Sequence, residues 1–274
     1  MPELICPVCA QPLHEQERVY RCAGGHSFDR AKSGYVNLLI QRQSGAQHGD
    51  DKEMVRARRA FLDGGFYAPL QEKVCAAAVR WAPAREEVDV LDSGCGECYY
   101  TAAVEQALRT RGKTPSIVGV DISKDALRWG EKRGAPLQLA VASAFRLPVA
   151  ANSCDLLLDV FAPFAGEEYC RVLRRGGVVL HVSPGADHLW ELKQAVYETP
   201  YRNDAAPPAQ PGLVHREEET LCYPISLETQ NAVADLFRMT PYVHKTGSAE
   251  LQRLAKLQSL QVTAEFVLRI YQKV

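Results

Sequence analysis

Four residues near the start of the chain have the types and the spacing of zinc ligands. Cys6 and Cys9 form a C-x2-C pair, and Cys22 and His26 follow as a C-x3-H pair. Zinc takes about four thiolate or imidazole ligands in a tetrahedral array, and two cysteines at this spacing can bind one ion across a tight turn. The spacing therefore predicts a zinc site made of these side chains. The alternatives are four functionally unrelated residues or a redox pair at Cys6 and Cys9, and His14 is a rival ligand at poorer spacing.

The sequence around these ligands predicts a small ribbon. Pro7 lies in the first turn and Gly24-Gly25 in the second, where the backbone must fold back beneath the metal. Val19 and Tyr20, between the turns, favour a strand. Because so short a segment cannot bury a stable core alone, we expect zinc to supply folding free energy directly.

Changes of pattern predict three parts of the chain: a zinc domain of residues 1–40, a polar linker of residues 41–51, and a larger domain of residues 52–274. In the larger domain, apolar bursts alternate with helical or polar segments, as expected for a parallel sheet covered by helices. The bursts span Val88–Leu91, Ile117–Val120, Leu137–Val141, Leu156–Val160 and Val178–Val182. The segment at about 187–239 has helical patterns on both sides of a proline-rich stretch, so it is interpreted as an insertion.

Helical periodicity over Lys52–Trp81, broken around Gly64-Gly65, precedes the first burst. The chain ends in a predicted long strand over Leu260–Tyr271, where apolar residues alternate.

The turn after the first burst predicts a nucleoside site. Asp92 ends the burst, and Gly94 and Gly96 follow in a D-x-G-x-G loop whose backbone can approach a ligand closely. Asp121 ends the next burst, where a carboxylate can accept both ribose hydroxyls; a strand-end cap is the alternative. Tyr99 stands where a dinucleotide-binding loop would have its third glycine. The loop therefore favours S-adenosylmethionine over NAD.

Composition narrows the class of protein and its surroundings. With 46% hydrophobic residues among 274, the chain can bury a full-sized core. Nine cysteines scattered through apolar stretches suit a reducing compartment, and no signal peptide or membrane-length apolar run is apparent. We therefore expect a cytoplasmic protein that does not contact membranes.

The net charge of −1 excludes polyanion binding by the bulk field, so RNA contact requires a local patch. The best candidates are Lys52, Arg56, Arg58 and Arg59, for which a solvated helix face is the alternative interpretation.

The sequence resembles a known family, the zinc-containing 23S ribosomal RNA guanine-N1 methyltransferases of the RlmA type. The resemblance is carried by CPVC, CAGGHSFDRAKSGYVNLL, GDDKEMVRARRAFLDGGFYAPL, LDSGCGECYYT, ASAFRLP, FAPF, RVLRRGGVVL, SPGADHLWELK, LCYP and MTP. It implies an α/β fold of the class I S-adenosylmethionine-dependent methyltransferases, Rossmann-like with a mainly parallel sheet, and a small N-terminal zinc-binding domain. It further implies that this domain helps to hold a hairpin of 23S ribosomal RNA and that the protein is a homodimer.

The resemblance also assigns site residues by position. The donor site would comprise Asp92, Gly94, Cys95, Gly96, Tyr100, Asp121, Ser143 and Ala144. Phe161, Ala162 and Pro163 would line the strand end where the target base enters. Two residues depart from common donor sites: Cys98 replaces a third glycine, and Ser143 replaces an aspartate, which predicts weaker donor affinity.

Methyl transfer to guanine N1 requires an unpaired base, loss of the N1 proton and an in-line arrangement of nucleophile, methyl and sulfur. Asp159, near the strand end, is the predicted general base, although it could instead face the sheet edge or a salt bridge. Phe161, Phe164 and Tyr100 could stack on the base or on adenine, or pack in the core.

The sequence leaves two alternatives to this function. One is a methyltransferase for small molecules or another RNA, with zinc as a structural clip. The other is a catalytically impaired RNA-binding homologue.

Overall fold

A computed structural model describes residues 2–40 and 49–274. Residues 41–48, most of the predicted linker, lie outside the described residues. The division into domains at residues 40 and 52 stays a prediction.

The N-terminal part is a ribbon of short antiparallel strands, β1 (His14–Gln16), β2 (Val19–Arg21) and β3 (Ser27–Asp29). The strand predicted at Val19 and Tyr20 is confirmed as β2. Tyr20 is buried beneath the ribbon and its ring faces the shared core described below.

The main sheet is mixed but largely parallel, in the order β10-β11-β9-β8-β5-β6-β7-β4. Its strands are β4 (Val36–Asn37), β5 (Glu87–Ser93), β6 (Thr114–Asp121), β7 (Leu137–Val141), β8 (Cys154–Val160), β9 (Leu173–Pro184), β10 (Leu213–Leu227) and β11 (Leu260–Lys273). β11 runs antiparallel to both of its neighbours, β9 and β10, whereas the pairs from β9 through β8, β5, β6 and β7 to β4 are parallel. Every apolar burst in the sequence is a strand, so the prediction of a mainly parallel Rossmann-like sheet is confirmed.

Helices cover both faces of this sheet. Their bounds are α1 (Lys52–Asp63), α2 (Ala68–Trp81), α3 (Tyr99–Thr110), α4 (Lys124–Gly130), α5 (Gly166–Val172), α6 (Trp190–Val196), α7 (Gln230–Arg238) and α8 (Ser248–Lys256), with 3₁₀ turns at Glu131–Arg133 and Pro241–Lys245. The predicted break between α1 and α2 is confirmed, and Gly65 there has φ of +78°, which favours glycine. Within the described residues no helix is both long and apolar enough to cross a membrane.

The ribbon and the main sheet share one hydrophobic core. β4 pairs in parallel with β7, so that Val36 lies opposite Ala140. Leu4 bridges to Val149, and both side chains are buried in a cluster that continues to Leu91 in β5. The zinc-binding part is therefore fastened to the edge of the sheet near the carboxyl ends of β6 and β7, beside the nucleoside site predicted from sequence.

The sequence did not predict β10. This strand lies at the edge of the sheet, pairs along its length with β11, and includes Glu217, Glu218 and Glu219. Most of its side chains are exposed or half-buried, because only one edge and part of one face meet protein. Such a strand has no apolar burst by which to recognise it.

Candidate functional site

A cavity of about 740 Å³ opens at the carboxyl ends of the parallel strands, where open α/β sheets bind their ligands. Its floor is formed by residues at the carboxyl end of each parallel strand or just beyond it, namely Gly94–Glu97, Asp121–Ile122, Ala142–Phe145, Phe161–Pro163 and His181–Pro184. The predicted donor loop, ribose-binding residue and target-base entry thus border one continuous space.

The donor loop leaves room for a ligand at its glycines. Gly94 has φ of +86° and Gly96 has φ of +54°, both in the left-handed region. A Cβ atom at Gly94 would lie 2.5 Å from the Cβ of Ala162, whereas a Cβ at Gly96 would have nothing within 4 Å and would project into open space. This backbone fits a close-lying nucleoside, since any side chain at Gly96 would occupy that space.

Gly94→Ala is expected to weaken S-adenosylmethionine binding about tenfold or more, because it adds strain at positive φ and pushes the loop away from Ala162. Gly112→Ala is the matched control. Gly112 has φ of +74° with nothing within 4 Å and lies past the far end of α3, so it carries the strain without the collision. Calorimetric titration of both variants with the donor measures the difference, and equal affinities would contradict the steric argument.

Cys98 does not obstruct the donor loop. It caps α3 with φ of +62°, yet its side chain is fully buried and does not border the cavity. Its Sγ lies 2.7 Å from the position of a Cβ on Gly130, in a cluster that includes Cys95 and Leu139. The missing third glycine is thus accommodated by a thiol turned into the core, where the small residue Gly130 makes space for it.

The Asp121 carboxylate holds the donor loop in place. Its Oδ2 accepts a hydrogen bond from Gly96 N at 2.8 Å, and its Oδ1 accepts one from Ser123 N at 2.7 Å. Burial raises the pKa of Asp121, while these N–H groups and the nearby Arg58 guanidinium oppose the rise. The carboxylate borders the cavity, and each oxygen keeps a second lone pair for a ligand hydroxyl. The strand-end cap and the ribose site are therefore compatible roles for one side chain.

Asp92 lies behind the loop and does not border the cavity. It is almost fully buried, and its Oδ2 accepts a hydrogen bond from Thr101 Oγ1 at 2.6 Å. Burial raises the pKa of Asp92 to about 7, with the charges of Asp121 and Asp159 adding to that rise and the Thr101 hydroxyl opposing it. Its contact ties the end of β5 to the start of α3, so Asp92 shapes the donor site without reaching the ligand.

The remaining donor-site candidates border the cavity in two places. Ser143 and Ala144 follow β7, and Ser143 Oγ accepts a hydrogen bond from Phe145 N at 3.3 Å. On the opposite wall, the Tyr100 hydroxyl is buried and has no hydrogen-bond partner among the described residues. Because an unsatisfied buried hydroxyl is costly, Tyr100 is a candidate to bond a ligand rather than only to pack.

Phe161 and Phe164 have different surroundings in the structure. Phe161 has φ of +61°, is 41% exposed, and borders the cavity beside Ala162 and Pro163. Phe164 instead packs against Tyr169 on the other side, with ring centroids 5.3 Å apart, and does not border the cavity. Phe161 therefore remains a candidate to stack on a base, whereas Phe164 takes the alternative of core packing.

Asp159 is fully buried and does not border the cavity. Its Oδ2 lies 3.0 Å from His181 Nδ1, and His181 does border the cavity. Sequence analysis missed His181, although a histidine inside the apolar run of β9 was a visible signal. Its pairing with Asp159 depends on the register of two strands, which the sequence alone does not give.

His188, on the cavity wall, serves as a neutral hydrogen-bonding group. Its Nδ1 accepts from Glu265 N at 3.2 Å, which leaves Nε2 to donate to the Tyr67 hydroxyl at 3.3 Å. Burial, with the Lys193 charge adding to it, lowers the pKa of His188 to about 3. Asn203 from the proline-rich stretch completes this wall, and Lys193 Nζ donates to its Oδ1 at 2.6 Å.

The zinc ligands converge as their spacing predicts. One ligand atom from each of Cys6, Cys9, Cys22 and His26 lies within 4.8 Å of every other. Cys9 Sγ is 3.6 Å from Cys22 Sγ, which in turn is 3.4 Å from His26 Nδ1. A tetrahedral ion with Zn–S bonds of about 2.3 Å would put two sulfurs about 3.8 Å apart, so the cluster fits zinc closely. His14 is not part of it, and the convergence of all four ligands favours a metal over a redox pair.

The first zinc knuckle touches the turn that follows β7. Arg146 Nη2 donates to Pro7 O at 3.0 Å, and Ile5 N donates to Pro148 O at 2.9 Å. Between these contacts and the cavity, Phe145 stands 64% exposed at the rim. A surface thus runs from the zinc site over an exposed aromatic ring to the cavity.

The predicted basic patch on α1 is smaller than its sequence suggests. Arg58 turns toward the cavity, where it pairs with Asp50 and donates to Met239 O at 3.0 Å. Arg59 lies 4.0 Å over the Trp129 ring. Lys52 and Arg56 remain exposed.

Comparison with known proteins identifies both parts of the chain. Residues 4–44 match a zinc-ribbon family model described as RlmA, N-terminal, and residues 90–177 match one described as a methyltransferase domain. The crystal structure of the YcgJ protein from Bacillus subtilis has a TM-score of 0.50 at 16% identity, covering 74% of this chain and 98% of that one, and indicates the fold alone.

Two relatives match over about 70% of the chain. A 23S rRNA (guanine(748)-N(1))-methyltransferase from Streptomyces fradiae is 40% identical over 195 residues, covering 70% of this chain and 67% of that protein. A protein from Micromonospora griseorubida with the provisional name 23S rRNA (guanine-N(1)-)-methyltransferase is 42% identical over 212 residues, covering 70% and 69%. The resemblance inferred from the motifs is confirmed: the chain belongs to the RlmA-type family of 23S rRNA (guanine-N1)-methyltransferases.

Proposed function

We propose that the protein transfers a methyl group from S-adenosylmethionine to N1 of a guanine in a hairpin loop of 23S ribosomal RNA. The observation that carries this proposal is the position of the zinc ribbon, whose first knuckle contacts the turn beside the donor cavity through Arg146 and Pro7. A ribbon that served only as a structural clip would not need to stand at the mouth of the cavity. The relatives' named reaction supports the same conclusion.

The donor supplies an electrophilic methyl group on a sulfonium. On the chain's side, Asp121 would accept hydrogen bonds from the ribose hydroxyls, and Gly96 gives the nucleoside space. Ser143 and Ala144 would border the adenine, and the Tyr100 hydroxyl would bond a polar donor atom. Cys95, in the same loop, borders the cavity, while Asp92 holds the loop from behind.

The target guanine would enter between Phe161 and Pro163, unpaired and unstacked from its neighbours. Phe161 can stack on it, because its ring is partly exposed at the strand end. The RNA around the opening would be held by the ribbon, by Phe145 at the rim, and by the exposed side chains of Lys52 and Arg56. We further propose a cytoplasmic homodimer whose thiols stay reduced; none of the nine cysteines, all of which the structure describes, forms a disulfide.

Incubation of the protein with labelled donor and 23S ribosomal RNA, followed by primer extension, tests this function. The expected result is a single stop at one hairpin guanine, since N1 methylation blocks base pairing. RNA with that guanine replaced by adenine is the control and should give no stop.

The alternatives predict different results in the same assay. A small-molecule enzyme would turn over the donor without RNA, and an impaired homologue would bind the hairpin without binding the donor. The burial of Cys98 away from the cavity removes one reason to expect impairment.

A further inference from the structure

A buried carboxylate and an imidazole are paired beneath the acceptor side of the cavity. Asp159 in β8 lies opposite His181 in β9 in the parallel register, and Asp159 Oδ2 is 3.0 Å from His181 Nδ1. Asp159 is 0% exposed and His181 is 5% exposed. Of the two, only His181 borders the cavity, two residues before Ser183 and beside the strand end that carries Phe161 and Pro163.

The pairing fixes which nitrogen of His181 is available. An ionised carboxylate only accepts hydrogen bonds, so Nδ1 carries the hydrogen and Nε2 keeps its lone pair. Burial raises the pKa of Asp159, but the His181 ring, the Tyr169 hydroxyl and the Ala162 N–H oppose that rise. Within residues 2–40 and 49–274, Nε2 of His181 has no hydrogen-bond partner. The same arrangement orients the histidine base in hydrolytic triads.

The other carboxylates and histidines that border the cavity are engaged or lie on the donor side. Asp50 pairs with Arg58, and Glu97 pairs with Arg133 through Oε1. Glu97 Oε2 has no hydrogen-bond partner among the described residues, but Glu97 belongs to the donor loop, next to Gly96. Asp121 holds the donor loop through Gly96 N and lies on the donor side. His188 uses both of its ring nitrogens, on Glu265 N and the Tyr67 hydroxyl.

We propose that His181 is the general base of the reaction and that Asp159 is its positioning residue. The inference rests on the proposed function, and it assigns the contact with the guanine to His181 rather than to Asp159. His181 Nε2 takes the N1 proton, and the N1 electron pair forms the new bond to the methyl carbon. The carbon–sulfur bond breaks with its electrons on sulfur, which becomes a neutral thioether. The imidazolium returns its proton to solvent after product release.

The charges around His181 suit a base that becomes a cation. Asp159 faces it from β8, and the Tyr169 hydroxyl approaches the same carboxylate from α5. From β11, Arg269 lies opposite His181 in the register, and the Tyr271 ring centroid is 6.5 Å away. Arg269 has the same charge as an imidazolium, but its Nε pairs with Glu218 at 2.7 Å and its Nη1 donates to Ser183 Oγ at 2.9 Å. Among the described residues, Asp159 is therefore the charged group that contacts the imidazole directly.

His181→Gln tests the proposal, since glutamine keeps the size and polarity of the side chain but cannot take the proton at neutral pH. We expect its kcat on 23S ribosomal RNA to fall about 100-fold or more, with donor affinity by calorimetry unchanged. The parent rate should reach a plateau as pH rises, because a neutral imidazole then takes the N1 proton. The variant should show no such plateau, and its rate should rise about tenfold per pH unit until the guanine itself ionises. His215→Gln, at an exposed histidine in β10, is the matched control and should behave as the parent.

Asp159→Asn provides an independent test. The asparagine amide can donate to Nδ1, which would shift the hydrogen to Nε2 and remove the free lone pair. We expect a loss of kcat comparable to that of His181→Gln. In a further variant, His181→Ala, added imidazole should partly restore the rate. If His181→Gln does not fold, the Asp159→Asn rate and the imidazole rescue decide the question.

Parental kcat and an unchanged pH profile in His181→Gln or Asp159→Asn would overturn the assignment while the proposed function stands. A parent protein that forms no N1-methylguanosine would overturn both.

Discussion

Cys9→Ser is expected to reduce bound zinc from about one ion per chain to almost none and to abolish RNA methylation, while donor affinity changes less than about threefold. Cys9 suits this test because its side chain is exposed, whereas Cys6 and Cys22 are buried in the core shared with the main sheet. Replacing Cys9 therefore removes a ligand with little loss of packing. The free energy of ion binding in small zinc modules is folding free energy, so the knuckles should open.

The expected loss of RNA methylation follows from where the knuckles stand. Pro7 in the first knuckle accepts a hydrogen bond from Arg146, next to the exposed ring of Phe145 at the cavity rim. Opening the knuckle removes the surface that would hold the hairpin over the cavity. The donor side should survive, because the pairing of β4 with β7 does not depend on the metal.

Zinc content by mass spectrometry, RNA affinity by gel shift and donor affinity by calorimetry measure the three effects separately. His14→Ala is the control, since His14 lies in the same ribbon but outside the ligand cluster. It should retain zinc and activity. Equal zinc content in Cys9→Ser and the parent would refute the ligand assignment.

The zinc ligands and the position of the donor loop could be predicted from sequence because each is encoded locally. The zinc pairs lie within one turn, and the donor loop joins one strand to one helix, so spacing alone reports the geometry. Asp121 was predictable for the same reason, since the carboxyl end of the next parallel strand lies beside the loop. The donor-site and base-site residues remain predictions.

Residues that depend on long-range register were not predictable. His181 meets Asp159 only because β8 and β9 pair in one particular register. The side chain of Cys98 finds space only because Gly130, in another helix, approaches it. Likewise β10, polar and at the sheet edge, has no apolar pattern of its own and depends on β11 for its pairing.

Asp121→Ala is expected to weaken donor binding about 100-fold or more. Two effects combine in this variant. Hydrogen bonds to an ionised group contribute about 1.5–3 kcal/mol each, and the substitution removes the carboxylate that would accept from the ribose hydroxyls. It also frees Gly96 N and Ser123 N, which the two carboxylate oxygens now hold at 2.8 Å and 2.7 Å, so the loop loses its support. Asp125→Ala is the control and should bind the donor as the parent does, because it removes a half-buried carboxylate whose ion pair within the described part of the chain is with Arg128.

A ligand lacking the ribose hydroxyls separates the two effects, because a cycle of protein and ligand changes isolates the direct contact. If Asp121 binds the ribose, S-adenosylhomocysteine and its 2′,3′-dideoxy analogue should differ about tenfold or more in affinity for the parent, and hardly at all for Asp121→Ala. If Asp121 acts only through the loop, both proteins should discriminate the two ligands equally, and the ribose role would have to be given up. Since each carboxylate oxygen already accepts one backbone N–H and retains a second lone pair, the structure allows both roles at once. We therefore expect the cycle to reveal a direct contact between Asp121 and the ribose hydroxyls. We also expect Asp121→Ala to bind the dideoxy analogue more weakly than the parent does, because the loop has lost its support.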